Sequence, residues 1–411
     1  MIDFKSLDSF YREHLLDHVL PFYLNHALDP EFGGYANCLD NAGRRLSTDK
    51  YLWSQGRGTW TFSAVYNRVA REDKYLDAAR LGARFIERFG RDERGYYVFY
   101  TSREGRNIGP SNSIYADLFV VLGLTELFRA TGDTKALAQA YAVFRQAWTR
   151  IQDPNFDAAY PGGKLPGASV HGVPMILLDV AQELARTVAD ETVDAAVAWC
   201  VETITQRHYQ PDYGMIFEQV TPDGKRIDLP AGRVINPGHA IECAWFMMHH
   251  AHRAGWRDLL EWAGKILFKA LELGWDKEYG GILLAIDADT GRPSDAFPHA
   301  DYKPWWPETE ALYALILAHE LLGSPQAQGW YDRVHDWSMN HLVSPQGDWY
   351  QRMDRQGRPI DTVIGLPVKD PYHLPRALIL GYQSLRRVQG NPTPHDPFDI
   401  LPKVPAPQMD A

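Results

Sequence analysis

Cysteine is scarce. Cys38, Cys200 and Cys243 are the three in 411 residues, widely spaced and odd in number. They offer no disulfide framework and no Cys-rich zinc pattern, so reduced thiols in a cytoplasmic protein are expected. Basic clusters are missing too. The 42 lysines and arginines are outnumbered by 52 aspartates and glutamates, for a net charge of −10, which argues against a nucleic acid or an anionic membrane as partner. No apolar run approaches the length that spans a bilayer. The opening Met1-Ile2-Asp3-Phe4-Lys5 has neither a basic nor an apolar region of the kind a signal peptide needs. Gly-x-Gly-x-x-Gly and Gly-x-x-x-x-Gly-Lys-Ser/Thr loops are absent, which removes the sequence support for nicotinamide or phosphate chemistry. Nor do strands alternate with helices as a doubly wound sheet requires.

What the chain has is helices, aromatics and a repeat. Hydrophobic residues make up 45%, with 13 Trp, 21 Tyr and 17 Phe: enough for a large core, with rings to spare for stacking on sugar faces. Apolar residues at helical spacing predict helices near 5–24, 52–71, 73–90, 112–131, 133–152, 169–187, 190–208, 237–254, 256–274, 306–323, 325–342 and 372–388. Glycine turns, several with acidic and aromatic neighbours, recur at Gly34, Gly95, Gly162, Gly214, Gly280 and Gly347, about every 60 residues, and mark a repeated supersecondary unit. Each unit reads as glycine turn, hairpin-like loop, helix, helix. The helix after the loop is generally the more apolar of its pair. One inner and one outer ring of helices is an all-α (α/α)6 barrel of about twelve helices, with short β-hairpin loops at one end. It is expected to fill residues 1–390 as a single catalytic domain. Residues 391–411, with six prolines, form a Pro-rich tail that is irregular or a strap.

Polar residues open the inner helices. Arg57 lies in the first, Tyr115 and Asp117 in the second, His171 in the third and His239 with Glu242 in the fourth. Glu308 and Glu310 follow Lys303-Pro304-Trp305-Trp306 in the fifth, and His373 and Arg376 open the sixth. Parallel inner helices bring all of them to one mouth, and such a constellation describes an active site. Trp305 and Trp306 are adjacent, so only one is expected to face the cavity. Glu308 and Glu310, two apart on a helix, raise the same question. His249, His250 and His252 resemble a metal cluster, but they end a helix before Gly255, where His side chains suit the negative end of the dipole. No metal is assigned.

Two imidazoles facing one cavity can take a proton beside a carbonyl and return it. On an open-chain sugar, removing the C2 proton makes an enediolate, which Arg57 could stabilise. Return to the opposite face is 2-epimerisation; return to the neighbouring carbon gives a ketose. Glu242 and Glu310 are expected to orient the histidines and raise their basicity. Glycoside hydrolysis remains open, because Glu308, Glu310 and Asp117 could supply the two carboxylates it needs. A helical-repeat scaffold remains a further alternative.

At these residues the sequence resembles the N-acylglucosamine 2-epimerase family. Trp53-Ser54-Gln55-Gly56-Arg57, Gly232 to Glu242 with Trp245-Phe246, Lys303 to Leu312, and Tyr372-His373-Leu374-Pro375-Arg376-Ala377 carry the likeness. It implies metal-independent epimerisation between N-acetylglucosamine and N-acetylmannosamine, or epimerisation or isomerisation of an unmodified hexose or of a disaccharide such as cellobiose. It implies His239 and His373 as the acid/base pair, supported by Arg57, Glu242 and Glu310. Tyr115 and Trp306 are substrate contacts in this reading, and Lys303, Glu308, Arg376 and His171 join them. No cofactor is required for the chemistry; the resemblance admits activation by a nucleotide (ATP) and assembly as a homodimer. Two positions depart from the family pattern. Val368 stands where relatives often carry Trp, and Glu308 where they often carry His or Gln.

Overall fold

The computed structural model describes residues 6–156, 163–361 and 367–408; the marker Gly162 lies outside them. Among these residues twelve long helices alternate between two rings. The outer ring opens with α1, a continuous helix of α-helical turns Leu7–Glu13 and Leu20–His26 around a π-helical stretch His14–Val19. There follow α2 (Leu52–Arg68), α3 (Asp73–Arg88), α4 (Ile114–Thr131), α5 (Thr134–Gln152), α6 (Gly172–Ala185) and α7 (Glu191–Thr203, extended by π-helical Ile204–His208). Then come α8 (Pro237–Ala254), α9 (Arg257–Gly274), α10 (Trp305–Leu322), α11 (Pro325–His341) and α12 (His373–Val388). The even-numbered helices pack each on the next, and α12 returns to α2, so the inner ring closes. Each outer helix packs on its hairpin neighbour, and α1 completes the circle against α12. This is the (α/α)6 barrel expected from the repeat, and no described helix is long and apolar enough to cross a membrane.

Residue pattern explains the two rings. In α3 the buried residues Tyr75, Leu76, Ala78, Ala79, Gly82, Phe85 and Ile86 form one stripe, with charges on the other face. By contrast, every residue of α4 from Ile114 to Leu127 is buried, as suits a helix with neighbours on all sides. Asp133, Asp190 and Asn236 cap α5, α7 and α8 through their side chains. The α2–α4 crossing is very close: a Cβ on Gly56 would stand 2.3 Å from the Phe119 carbonyl oxygen, and one on Gly123 2.4 Å from that of Gly56. Only glycine fits at these two positions. The crossing brings Arg57 over the Phe119 ring, 4.2 Å from its centroid.

The loops at the N-terminal end of the inner ring are stitched by two-residue antiparallel pairs. Lys50–Tyr51 pairs with Tyr100–Thr101, Ser169–Val170 with Gln219–Val220, Val234–Ile235 with Ile286–Asp287, and Lys303–Pro304 with Arg352–Met353. Each strand leads into an inner helix or lies in a neighbouring loop, so the mouth is a woven collar. The five described marker glycines all have positive φ, from 63° at Gly214 to 103° at Gly347, which is why the repeat shows as glycine. At the opposite end the tail straps the barrel. Val404–Pro405 runs parallel to Val188–Ala189, the Asp396 carbonyl accepts from Arg186 at 2.6 Å, and the Pro397 carbonyl accepts from Arg253 at 3.0 Å.

Candidate active site

A cavity of about 350 Å³ opens at the N-terminal end of the inner ring. Its wall includes Arg57, Tyr115, Phe119, His239, Glu242 and His373, with Trp305 and Trp306 beside them. His239 enters in the first turn of α8, where Asn236 accepts the His239 backbone N–H at 3.1 Å. Its Nδ1 lies 3.0 Å from a Glu218 oxygen. His373 enters at the first residue of α12, with Nδ1 2.7 Å from Glu310 Oε1. Both pairs leave Nε2 as the nitrogen available to the cavity. The Trp306 ring lies beside both imidazoles, with centroids 5.2 Å from His239 and 5.7 Å from His373. Two histidines from helices two apart in the ring thus share one hollow.

The electrostatics of the two differ. Burial works against a charge on His239, yet the Glu218 carboxylate at its ring, with Glu242 and Glu310 further off, raises its pKa above the ordinary histidine value. Burial pushes His373 well below that value, helped by the cation of Arg57, and the carboxylates of Glu242 and Asp370 do not offset this. Glu218 itself is held far below the usual carboxylate range: burial raises it, and His239 and His171 outweigh burial. The favoured singly protonated state of the pair therefore carries its proton on His239.

Arg57 lines the same cavity as His373. Its guanidinium stacks on Trp53, Phe119 and Tyr372 and reaches Asp370 Oδ2 at 3.5 Å, while Ser54 donates to the same oxygen at 2.8 Å. Below the cavity, Arg376 donates to Glu242, to Glu310 at 2.8 Å and to the Tyr372 hydroxyl at 2.9 Å. Glu242, Glu310 and His373 offer ligand atoms within 4.8 Å of one another. The Arg376 fork already takes both carboxylates, and Glu310 holds His373.

Several expected roles need correcting. Glu242 lines the cavity but bonds Arg376 and does not orient a histidine; the partner of His239 is Glu218. Arg376 is not in the wall: it is buried beneath it. His171 is fully buried behind the wall, its Nδ1 3.7 Å from Glu218. Trp305 and Trp306 both line the cavity, because the chain enters α10 from the strand Lys303–Pro304 and the first turn lies along the rim. Lys303 is turned away, paired with Asp276 at 3.2 Å, and Arg355 joins the same carboxylate. The same device recurs in the first unit, where Asp29 holds Lys50 at 3.0 Å and Arg103 at 2.9 Å. It recurs in part in the last, where Lys369 pairs with Asp348 at 2.6 Å. Lys303 is thus a repeat lysine that ties a glycine turn to its strand.

Glu308 is a repeat position as well. Its Oε1 accepts the Ile282 N–H at 2.6 Å, as Gln55 accepts that of Tyr35 at 2.7 Å and Asp117 that of Tyr97 at 3.3 Å. Each is the fourth residue of an inner helix, holding the loop after a glycine turn. Neither Glu308 nor Asp117 lines the cavity, so the carboxylate pair for glycoside hydrolysis is not assembled there. Burial raises Glu308 to about 8, against the Ile282 N–H and Lys303, which lower it. A raised folded-state pKa means that stability is full below the unfolded value and declines as pH rises toward 8. The decline is on the order of 1 kcal/mol per pH unit. Glu308→Gln, with the side chain of Gln55, should keep turnover and remove that decline. Thermal unfolding of both proteins between pH 5 and 9 measures it, and parallel curves would contradict this role.

Two further side chains escaped sequence reasoning. Glu218 lies in the loop Phe217-Glu218-Gln219 and Asp370 between Lys369 and Pro371, neither on a helix whose spacing could flag it. Of the histidine run, His249 is buried and bonds the Tyr313 hydroxyl at 2.6 Å, and His252 packs on Phe398 of the strap.

A family model described as N-acylglucosamine 2-epimerase matches residues 33–377. The chain belongs to the N-acylglucosamine 2-epimerase family. It is therefore a carbohydrate 2-epimerase, of the isomerase class. It is 31% identical to the N-acylglucosamine 2-epimerase of Mus musculus, over 95% of each chain. With that of Homo sapiens it shares 30% identity over 92% of this chain and 90% of the human one. Among solved structures, the cellobiose 2-epimerase of Spirochaeta thermophila superposes with a TM-score of 0.80 at 21% identity, covering 94% of this chain and 98% of the other. That likeness concerns the family's fold.

Proposed function

We propose that this family member interconverts N-acetylglucosamine and N-acetylmannosamine by passing the C2 proton of the open-chain sugar between His239 and His373. The observation that carries the reading is the pair of imidazoles beside Trp306 in one cavity, each with a carboxylate on Nδ1. One histidine, neutral, takes the C2 proton. The C2–H electrons form the C1–C2 double bond, and the carbonyl electrons move to O1. Arg57 is the cation for that oxygen. The other histidine, protonated, gives its proton to the opposite face of C2, the carbonyl re-forms, and the carbon is inverted. The relatives above are named for N-acylglucosamine, which favours the 2-acylamino sugar over an unmodified hexose. The proton transfers use only the chain's own side chains, and no residue here is assigned to ATP.

Incubation with N-acetylglucosamine in deuterium oxide tests this. NMR should show N-acetylmannosamine carrying deuterium at C2. A ketose product, or exchange on mannose or cellobiose alone, would overturn the reading.

The opposed histidine shifts predict a broad bell-shaped pH profile. As pH falls toward the depressed pKa of His373, the base is lost; as pH rises through the raised pKa of His239, the acid is lost. The equilibrium between two uncharged sugars does not depend on pH. The kcat/KM profiles measured from either epimer should therefore have the same shape, offset by the equilibrium constant. Glu218→Gln, which removes the charge that raises His239, should move the alkaline limb to lower pH; an unmoved limb would dissociate Glu218 from it.

A further inference from the structure

The wall of the cavity is polar in some sectors and apolar in others. Going round the inner ring, α2 offers Arg57, α4 the Tyr115 hydroxyl, α8 His239 and Glu242, and α12 His373. The α10 sector is filled by Trp305 and Trp306. Between Tyr115 and His239, α6 offers Gly172, Met175 and Ile176 and no polar side chain. The polar residue that begins this helix, His171, is drawn out of the wall toward Glu218. Gly172 lets the Tyr115 hydroxyl lie against this helix: a Cβ there would stand 2.7 Å from the hydroxyl oxygen.

Resting on the C2 epimerisation reading, these sectors orient the sugar. The imidazoles of α8 and α12 must face opposite sides of C2, and Trp306 on α10 lies beside both. O1 turns to Arg57 on α2. The substituent on C2 is left the sector of α4 and α6. An acylamino group there meets a hydroxyl that can donate to its carbonyl and apolar carbon for its alkyl end. A bare hydroxyl there would lose water against Met175 and Ile176 with less in return. We propose that Gly172, Met175 and Ile176, with the Tyr115 hydroxyl, form the subsite for the 2-acylamino group and set which acyl chains are accepted.

Kinetics on N-acetyl-, N-propanoyl- and N-butanoylmannosamine test the proposal. Wild type should prefer the acetyl sugar. Met175→Ala should raise the butanoyl-to-acetyl ratio of kcat/KM by about tenfold, the scale set by filling a pocket with a methylene. Ile176→Val, a smaller change that spares the fold should Met175→Ala not, should raise it less. Tyr115→Phe should lower kcat/KM for all three sugars and leave their ratio alone. A ratio within about twofold of wild type in the soluble Met175 or Ile176 variants, with wild type active on N-acetylmannosamine, would overturn the subsite. A wild type active on mannose but on no N-acyl sugar would instead overturn the function on which it rests.

Discussion

His239→Ala and His373→Ala should each reduce epimerisation by at least the 10²- to 10⁴-fold that a positioned acid or base contributes. They should fail in complementary ways. Each imidazole addresses one face of C2, so each single variant keeps the base for one epimer. In deuterium oxide, a variant should exchange the C2 hydrogen of that epimer slowly, with retention, because the remaining histidine takes the proton, trades it with solvent and returns it. The other variant should exchange the opposite epimer. Both side chains line the cavity, but the His373 ring is also buried against Glu310, so His373→Ala should cost more stability than His239→Ala. NMR of both sugars with both variants, alongside thermal unfolding, decides the matter. Exchange of the same epimer by both variants would mean that the two rings do not act from opposite faces. Near-wild-type turnover in either would remove that residue from the mechanism.

The barrel was legible in the sequence because it is a repeat. Among the described residues positive-φ glycines punctuate the units, and buried inner helices contrast with one-faced outer ones, so the chain itself marks these boundaries. Residues at the mouth were legible because inner-helix starts converge. The same convergence misleads. It places Lys303 and Glu308 near the rim, but the rim also needs ties for its loops, and these two serve that need as Lys50 and Gln55 do in the first unit. Comparison of unit with unit, Asp29-Lys50 against Asp276-Lys303, is the signal that separates tie from site. Glu218 was not legible because a two-residue β pairing delivers it: Gln219–Val220 pairs with Ser169–Val170, and the His171 backbone N–H donates to the Glu218 carbonyl at 2.9 Å. Such pairing is long-range and leaves no local period. Glu242 was expected at the mouth as a partner of the histidines; it lines the cavity, but Arg376, four helices along the chain, holds it in place of the histidine three residues away.

Arg376→Met should be the most damaging substitution that leaves the cavity wall untouched. The guanidinium is fully buried. It serves Glu242 and Glu310 and lies 3.7 Å from Asp179, stacked 4.4 Å above the Tyr372 ring and 4.9 Å from that of Trp245. A buried ion cluster contributes little net stability when complete, but removing one partner strands the others and costs about 3–5 kcal/mol. Here one cation answers for two carboxylates. Without it, a carboxylate must take a proton, and Glu310 loses the contact that aims it at His373. Turnover should therefore fall with stability. Arg376→Lys, a point charge where a fork is needed, should recover only part of either. The pH dependence gives the cause away. Stranded carboxylates have raised folded-state pKa values, so the variant's deficit should be smallest in acid and grow as pH rises through them. Adding Glu242→Gln removes one stranded charge and should restore part of the lost stability, a coupling that a double-mutant cycle measures. An Arg376→Met protein within about 1 kcal/mol of wild type, or a deficit that does not change with pH, would show that the cluster does not hold the floor of the site.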